Sequence, residues 1–251
     1  MGLDSYMTRL TVEQINNLKR EKAPDGDPVK IVILGYQELL LDPEDIETLF
    51  GQGAVSKLVP RPNSERLMAV HGSVGLGFIP TLDSFFDLVG GVQIDIIDFK
   101  LYEGTEIVHD LGIPIPEDLT EKYDMVIDGG TLEHIFNVGE AFHNVAKLTR
   151  PGGVVIHFLP MNSLNHGFHN FSPTLFYDFY EDIGFSVEHF RGVYPTTENG
   201  KKNWKWFEAP RNKRFKLDQE CYTSFVAKRH AKTLELVYPV QGRYRDKSNY
   251  I

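Results

Sequence analysis

Cysteine is almost absent from this sequence, because Cys221 is the single one among 251 residues. One thiol cannot form an intramolecular disulfide, and a lone cysteine excludes a cysteine-based zinc site. No apolar run approaches the roughly 20 residues that a membrane-spanning helix needs. The first residues, MGLDSYMTRLTVEQ, also lack the apolar stretch of an export signal. These absences favour a cytoplasmic protein that has no membrane partner.

Positive charge is scarce as well. Lys and Arg number 26 against 35 Asp and Glu, which gives a formal net charge of −9. General affinity for nucleic acid depends on an excess of Lys and Arg, so we expect no nucleic-acid partner. Apolar residues make up 41% of the chain, which is enough for the core of one ordinary domain with terminal additions.

Short apolar runs alternate with helical patterns over most of the chain. The predicted strands are 30–34, 92–99, 106–111, 123–128, 154–159, 185–192 and 221–229. The predicted helices are 11–22, 43–50, 64–71, 81–89, 138–149 and 173–183. Such alternation predicts a mostly parallel sheet that is covered by helices on both faces. No helical pattern separates the last two strands, which allows them to pair antiparallel.

Several polar residues stand where helices are predicted to begin. Thr11 and Gln14 have the spacing of a capping box, which predicts that the first helix begins there. Asp42 before Pro43 is typical of the start of the second helix. Asn137 and Ser172 precede later helical patterns, and their side chains are candidate caps.

The segment 121–160 carries the most specific pattern, a strand, a Gly-Gly turn, an LEH turn, a helix and a Pro-Gly-Gly turn into the next strand. Together with it, residues 29–160 and 185–229 resemble the class I, Rossmann-like methyltransferases that use S-adenosylmethionine. The resemblance implies an α/β fold, a doubly wound, seven-stranded, mostly parallel sheet with an antiparallel C-terminal hairpin. It also implies S-adenosyl-L-methionine as the cofactor and a small molecule as the methyl acceptor.

The same resemblance divides the chain into three parts. A methyltransferase domain is expected at 29–229, after a helical extension at 1–28 and before a tail at 230–251. The extension and the tail lie outside the family pattern. Two interpretations stay open for them, a lid over the site or a contact in a homo-oligomer.

Acidic residues after the second and third strands contact the nucleoside of the cofactor in this family. By that resemblance, Asp98 accepts hydrogen bonds from the ribose hydroxyls, and Asp110 with the Leu111 backbone contacts adenine. Structural alternatives stay open for both carboxylates. Asp98 could pair with Lys100 or with solvent, and Asp110 could cap a turn.

Asp128, Gly129 and Gly130 follow the fourth strand, where the resemblance implies contact with the reacting end of the cofactor. Glycine at such a position lets the backbone approach a ligand closely. The alternative is that the two glycines only form the turn between a strand and a helix.

The first motif departs from the family pattern of several glycines after the first strand. Here the strand is followed by LGYQEL, an LGxQ-type motif with the single glycine Gly35. Gly35 could provide the close approach alone, with Gln37 or Glu38 bonding the amino-acid end of the cofactor. Loss of cofactor binding is the alternative.

Histidines near the fourth and fifth strands are the candidate catalytic groups. His166 and His169 follow the fifth strand and are predicted general bases, because imidazole titrates near neutral pH. His134 in the LEH turn is a third candidate, although a packing role is typical there, and Glu133 could simply favour the first turn of a helix. His157 lies inside a strand and is predicted to be structural. The histidine spacing matches no standard metal site, so no metal is predicted.

The acceptor is indicated only by the segment 201–216, which holds seven Lys and Arg and both tryptophans. Such a segment could grip an anionic or sugar-linked acceptor, and a solvated hairpin is the alternative. The predicted function is therefore O-methylation of a small, anionic or sugar-like metabolite. N-methylation or aminopropyl transfer on the same fold is the second hypothesis, and a non-catalytic binding protein is the third.

Overall fold

The computed structural model describes residues 2–22, 26–71, 75–101, 104–198, 201–211, 213–235 and 237–245. The chain divides into two compact units, Met1–Val108 and His109–Ile251. The three-part division at residues 28 and 229 stays a prediction. Among the described helices, none combines the length and the apolar character that crossing a membrane requires.

The first unit contains a small parallel sheet and helices. Its helices are α1 (Ser5–Lys22), α2 (Pro43–Phe50), α3 (Ser64–His71) and α4 (Leu82–Val89). Its strands are β1 (Gly2–Asp4), β2 (Val29–Leu34), β3 (Glu38–Leu40), β4 (Val92–Asp98) and β5 (Ile107–Val108). Strand β4 pairs in parallel with both β2 and β5. Nearly every residue of β2 is buried, as its continuous apolar run predicts for a strand covered on both faces.

Helix α1 begins earlier than its sequence pattern predicts. Asp4 caps it, because its Oδ1 accepts hydrogen bonds from the backbone N of Tyr6 at 3.0 Å and of Met7 at 3.2 Å. Thr11 lies inside the helix and is 1% exposed. The predicted start at Thr11 is therefore wrong, and the helix begins at Ser5.

The first motif is joined to the beginning of the chain by a pair of short strands. Strand β1 pairs in parallel with β3, and Gly2 stands opposite Glu38. A Cβ on Gly2 would lie 2.3 Å from the Glu38 carbonyl oxygen, so the two backbones can approach only because residue 2 is glycine. The sequence predicted neither strand, since three residues are too few to establish a periodicity.

The second unit holds two central parallel strands followed by antiparallel ones. Its helices are α5 (Val138–Leu148) and α6 (Pro173–Asp182). Its strands are β6 (Tyr123–Asp128), β7 (Thr149–His157), β8 (Pro160–Asn162), β9 (Phe185–Glu198), β10 (Lys201–Glu208) and β11 (Cys221–Arg229). Strand β6 pairs in parallel with β7, whereas β11 pairs antiparallel with β7, β8 and β9. The predicted α/β class with antiparallel C-terminal strands is confirmed, and the predicted count of seven strands is not.

Several predicted boundaries and caps differ from the structure. Of the predicted strand 106–111, only Ile107–Val108 is extended in a sheet. The Asn137 side chain makes no cap, because its Nδ2 donates to the Gly112 carbonyl oxygen at 2.8 Å. Ser172 precedes α6 in extended conformation without a capping side-chain bond. Within 201–216, the first eight residues form a strand of a hairpin, since β10 pairs antiparallel with β9; the anion-binding role of the segment stays a prediction.

The core of the second unit is aromatic, and Phe142 of α5 lies at its centre. Its ring centroid is 5.4 to 5.9 Å from the ring centroids of His157, Phe171, Phe176 and Phe179. Tilted and edge-on pairs at this distance are the favoured arrangement of aromatic rings. These contacts pack α5 against α6 and β7.

The single cysteine is a core residue of the same unit. Cys221 begins β11 and is fully buried, with its Sγ 4.0 Å from Met161 Sδ. Burial raises the pKa of the Cys221 thiol to about 11. Because the thiolate is the reactive form of cysteine, Cys221 is not a candidate nucleophile at neutral pH.

Candidate active site

In the first unit, the candidate cofactor residues Gly35, Gln37 and Glu38 follow β2 directly. Gly35 has a φ of 68°, which lies in the left-handed region that favours glycine. Gln37 is 4% exposed, and its Nε2 donates to the Leu34 carbonyl oxygen at 2.7 Å. Glu38 forms an ion pair with Arg61, with 3.5 Å between Oε1 and Nη1. Gln37 and Glu38 thus have partners within the unit, and Gly35 is the residue that fits a close backbone approach.

Asp98 is the last residue of β4 and is half-buried. Its Oδ1 accepts a long hydrogen bond of 3.4 Å from the backbone N of Lys100. This bond occupies one acceptor position, and an ionised carboxylate has about four. Ligands of open α/β sheets bind beyond the carboxyl ends of the strands, which is where Asp98 lies on β4.

In the second unit, Asp110 and Leu111 lie in a turn that side-chain hydrogen bonds hold in place. The exposed Asp110 accepts a hydrogen bond of 2.8 Å from the Gly112 backbone N, so it caps a turn as the structural alternative describes. Leu111 is buried, and its carbonyl oxygen accepts from Asn144 Nδ2 at 2.9 Å. The Asn144 amide, which is fully buried in α5, also bonds the backbones of Ile113 and Ile115. Sequence reasoning missed Asn144, because a polar residue in a helix gives no signal of a distant partner.

Asp128 is fully buried at the end of β6 and belongs to a chain of hydrogen-bonded side chains. Its Oδ1 accepts from the Thr131 backbone N at 2.9 Å, and its Oδ2 lies 2.7 Å from His157 Nδ1. His157 Nε2 lies 2.5 Å from the Tyr180 hydroxyl oxygen. His157 is therefore structural, as predicted. Asp128 holds the turn after β6, a role that the sequence did not predict.

The Gly-Gly turn after β6 suits a close backbone approach. Gly130 has a φ of 105°, which an L side chain rarely adopts, and Gly129 is buried. From this turn the chain enters a short 3₁₀ turn, Leu132–His134, which carries Glu133.

Glu133 is the centre of a cluster that the sequence did not single out. Its side chain is fully buried, with Oε1 3.3 Å from His166 Nε2 and 3.7 Å from His134 Nε2. Within the described residues, neither carboxylate oxygen of Glu133 receives a hydrogen bond from another residue. Burial, with a smaller contribution from the nearby Asp128 charge, raises the pKa of Glu133 to about 8. An ionised carboxylate in such a place is unstable unless a cation or proton compensates it.

The loop after β8 holds His166 against Glu133 through backbone contacts. The backbone N of Phe168 donates to the Glu133 carbonyl oxygen at 2.8 Å, and that of His169 does so at 3.2 Å. A Cβ on Gly167 would lie 2.7 Å from the same oxygen. The loop is thus packed directly on Glu133, and a side chain at residue 167 would displace it.

The three candidate catalytic histidines differ in their surroundings. His166 is 29% exposed and His134 is 48% exposed, so both face solvent beside Glu133. Burial lowers the pKa of each imidazole. His169 Nε2 lies 3.1 Å from the Ile135 carbonyl oxygen, so it acts as a donor that positions the loop. The structure brings His134 and His166 together and gives His169 a structural contact.

A second group of side chains extends from the same loop. Ser163 and Tyr222 both bond Glu220, with 2.6 Å between the Tyr222 hydroxyl oxygen and Glu220 Oε1. Burial and the Glu220 hydrogen bond raise the pKa of Tyr222. This contact could not be predicted from the sequence, because Ser163 and Glu220 are 57 residues apart.

A cavity of about 1110 Å³ lies between α6 and the segment after β10. Its cationic lining residues are Arg211, Lys213, Arg214, Lys216 and Arg243. Tyr177 and Phe215 add aromatic rings, and Arg211 lies 4.6 Å from the Tyr177 ring centroid. Lys205 of β10 lies outside this lining and pairs with Glu198 at 2.8 Å. Four of the seven cationic residues of the predicted anion-binding segment thus line this cavity; Lys201, Lys202 and Asn212 lie outside the described side chains.

The sequence matches no protein-family model and no curated protein. Among solved structures, 1,6-didemethyltoxoflavin-N1-methyltransferase of Burkholderia thailandensis, bound to its namesake compound and S-adenosylhomocysteine, is 12% identical with a TM-score of 0.43. That similarity covers 88% of this chain and 78% of the other. A SAM-dependent methyltransferase from Aquifex aeolicus is 11% identical over 86% and 97% of the chains, with a TM-score of 0.38.

The DszA carbon methyltransferase is similar at 8% identity over 90% of this chain, with a TM-score of 0.45. The similarity covers 54% of that protein, so this chain spans about half its length. These similarities are distant, and the chemistry of this chain has to follow from its own residues.

Proposed function

We propose that this protein is an S-adenosylmethionine-dependent methyltransferase that methylates an oxygen of a small anionic metabolite. The observation that carries the proposal is the meeting of Glu133 and His166 beyond the carboxyl ends of β6 and β7. His157 stands opposite Asp128 in the paired strands, so both strands end at the same edge. The segments that follow them carry Glu133 and His166, whose side chains lie 3.3 Å apart.

The residues that would hold the cofactor are those that the family resemblance assigns. Gly35 would allow the close backbone approach, and Asp98 would accept the ribose hydroxyls. Asp110 with Leu111 would contact adenine, while the Gly130 turn would adjoin the reacting end. Asp128 would act through this turn, since its own oxygens are bonded to Thr131 and His157. The cofactor, when bound, supplies an electrophilic methyl group on a sulfonium.

The chain's own residues have two tasks on the acceptor side, to align the hydroxyl and to remove its proton. His166 is our candidate for the second task. Its Nε2 lies 3.3 Å from Glu133 Oε1, so the buried carboxyl group would fix the orientation of the ring. His134 lies beside it, with ring centroids 5.2 Å apart, and would complete the acceptor contact.

Titration calorimetry with S-adenosylhomocysteine tests the cofactor half of the proposal. We expect one binding site per chain at micromolar ligand. Absence of binding at millimolar concentrations would exclude the enzyme and leave a non-catalytic protein with this fold. The product of the reaction then separates O-methylation from N-methylation or aminopropyl transfer, because mass spectrometry identifies the modified atom and the group transferred.

Replacing His166 with alanine should lower kcat by about 10²- to 10⁴-fold, the usual contribution of a general base. The dissociation constant for S-adenosylhomocysteine should change less than about twofold, because the base acts on the acceptor. Single-turnover methylation and calorimetry on the same preparation measure both values. His230→Ala is the control, since His230 bonds Ser186 and lies outside the Glu133 cluster. Equal turnover in His166→Ala and wild type would remove His166 from the chemistry.

The anionic class of acceptor is supported by the cationic cavity beside α6. Lys213, Arg214 and Lys216 are exposed and concentrate positive charge in a chain whose net charge is −9. The aromatic rings of Tyr177 and Phe215 provide flat surfaces on which a sugar or base could stack. A phosphorylated or nucleotide-linked sugar offers both the charge and the ring that this lining would bind.

Replacing Lys213, Arg214 and Lys216 together with alanine should raise KM for such an acceptor about tenfold, as expected for exposed charges worth under 1 kcal/mol each. The increase should shrink in 1 M salt because exposed charges are screened. Initial rates over a panel of phosphorylated and nucleotide-linked sugars measure it. Lys205→Ala is the matched control, because its ammonium pairs with Glu198 outside the cavity. Equal KM values in the triple variant and wild type would refute the anion contact.

A further inference from the structure

We infer that Glu133, His134 and His166 form a binding site for a divalent transition-metal ion. These three residues offer one carboxylate and two imidazoles, and their ligand atoms all lie within 4.8 Å of one another. The sequence predicted no metal because the ligands are not spaced as in a standard motif. They are brought together by the fold, since Glu133 and His166 follow different strands.

The two distances from Glu133 to the imidazoles are close to those between ligands of one metal ion. Ligands held tetrahedrally at about 2.1 Å from a zinc ion are separated by about 3.4 Å. Glu133 Oε1 lies 3.3 Å from His166 Nε2 and 3.7 Å from His134 Nε2. His134 is 48% exposed, so a small rotation of its ring can bring its nitrogen to the ligand distance.

The buried carboxylate is the second, independent indication of a ligand. Glu133 is 0% exposed, and within the described part of the chain no other residue donates a hydrogen bond to either of its oxygens. His166 Nε2 is likewise buried and lacks a hydrogen-bond partner there. A carboxylate oxygen and an unprotonated imidazole nitrogen are both electron-pair donors, so a cation bound between them would satisfy both groups.

The site is also held in place before any ion binds. The backbone N of Phe168 bonds the Glu133 carbonyl oxygen, and Gly167 packs on Glu133 so closely that a Cβ would lie 2.9 Å from its Cγ. The glycine thus allows the loop to present His166 to the carboxylate. Preorganised ligands of this kind reduce the cost of assembling a metal site.

Two imidazoles and one carboxylate favour Zn²⁺, Fe²⁺, Co²⁺ or Ni²⁺ over Mg²⁺ or Ca²⁺, which prefer all-oxygen shells. Three protein ligands leave at least one coordination position open, as in catalytic sites. An acceptor hydroxyl in that position would release its proton to water more easily, because the ion stabilises the resulting oxyanion. With its Nε2 on the ion, His166 would then act as a ligand and not as the general base. This catalytic role rests on the proposed function, whereas binding of the ion does not.

Calorimetric titration of the chelator-treated full chain with Zn²⁺ tests the site, in the absence of cofactor and acceptor. We expect one ion per chain with a micromolar or lower dissociation constant. Glu133→Gln and His166→Ala should each weaken binding beyond the roughly 10- to 100-fold that loss of a supporting residue costs. Gly167→Ala should also weaken it, because the loop must move. His230→Asn controls for adventitious binding by an exposed imidazole and should bind as wild type does.

Two results would overturn the inference. One is the absence of saturable Zn²⁺ binding below about 1 mM, and the other is unchanged affinity in Glu133→Gln and His166→Ala. If a variant fails to fold, wild type with Co²⁺ decides, since imidazoles bound to this paramagnetic ion give strongly shifted N–H proton resonances in NMR. Their absence at saturating Co²⁺ would exclude the site. A positive metal titration without binding of S-adenosylhomocysteine would retain the metal site and reject the methyltransferase.

Discussion

Replacing Asp128 with alanine should lower the free energy of unfolding by at least about 3 kcal/mol, measured by urea denaturation. The change removes the acceptor for the backbone N of Thr131 and for His157 Nδ1, at 2.9 and 2.7 Å. The His157 donor is then left in the core, because His157 is fully buried, whereas Thr131 is half-buried. Each buried donor without a partner costs about 1–3 kcal/mol, and the cavity left by the side chain adds to it.

Asp110→Ala is the matched control for Asp128→Ala. It removes an aspartate of the same unit that bonds one backbone N, that of Gly112, but Asp110 is exposed. Water can replace its carboxylate, so we expect a loss below about 1 kcal/mol. A loss of that size in Asp128→Ala as well would show that the buried chain from Asp128 to Tyr180 contributes little, and Asp128 would return as a direct cofactor contact.

Replacing Asp98 with alanine should weaken S-adenosylhomocysteine binding by at least about 100-fold. Two charge-assisted hydrogen bonds to ribose hydroxyls contribute about 1.5 kcal/mol or more each, and about 2.7 kcal/mol corresponds to a factor of 100. The fold should be little affected, because Asp98 is half-buried at a strand end and its described bond, to the Lys100 backbone, is 3.4 Å long. Calorimetry gives the affinity, and thermal unfolding gives the stability.

Lys100→Ala separates the two interpretations of Asp98 that the sequence left open. If the carboxylate serves mainly to pair with the Lys100 side chain, both variants should lower stability by a similar amount, and neither should change the affinity. We expect instead that Asp98→Ala loses affinity while Lys100→Ala binds as wild type does. An affinity in Asp98→Ala within about threefold of wild type would contradict the ribose assignment.

Elements with a strong periodic or apolar pattern could be predicted from the sequence. Tyr123–Asp128 and Cys221–Arg229 have the predicted bounds, because every residue or nearly every residue of both strands is buried and apolar runs mark such strands. The start of α1 could not be predicted, because Asp4 and not Thr11 caps the helix. Local spacing alone does not tell which of two possible capping residues begins a helix. The short strands β1 and β3 depend on each other across more than 30 residues, a pairing that no local pattern contains.

The candidate site shows the same limit. His166 could be named from its residue type and its place after a strand, whereas its partner Glu133 could not. In sequence, Glu133 is an acidic residue in a first turn, and only the fold reveals that it is buried without a hydrogen bond. His169 has the same sequence signal as His166 but bonds the Ile135 backbone. Three residues of separation thus decide between an imidazole beside Glu133 and one that bonds a backbone carbonyl oxygen.

The burial of Cys221 has a practical consequence for spectroscopy. The only thiol of the sequence is inaccessible and has a pKa raised to about 11, so maleimide reagents should leave the native protein unlabelled. A cysteine introduced at an exposed position, such as Lys205→Cys on β10, would then be the sole attachment point for a fluorophore or spin label. Distances and motions of the hairpin could be followed in solution without first removing a native cysteine from the core.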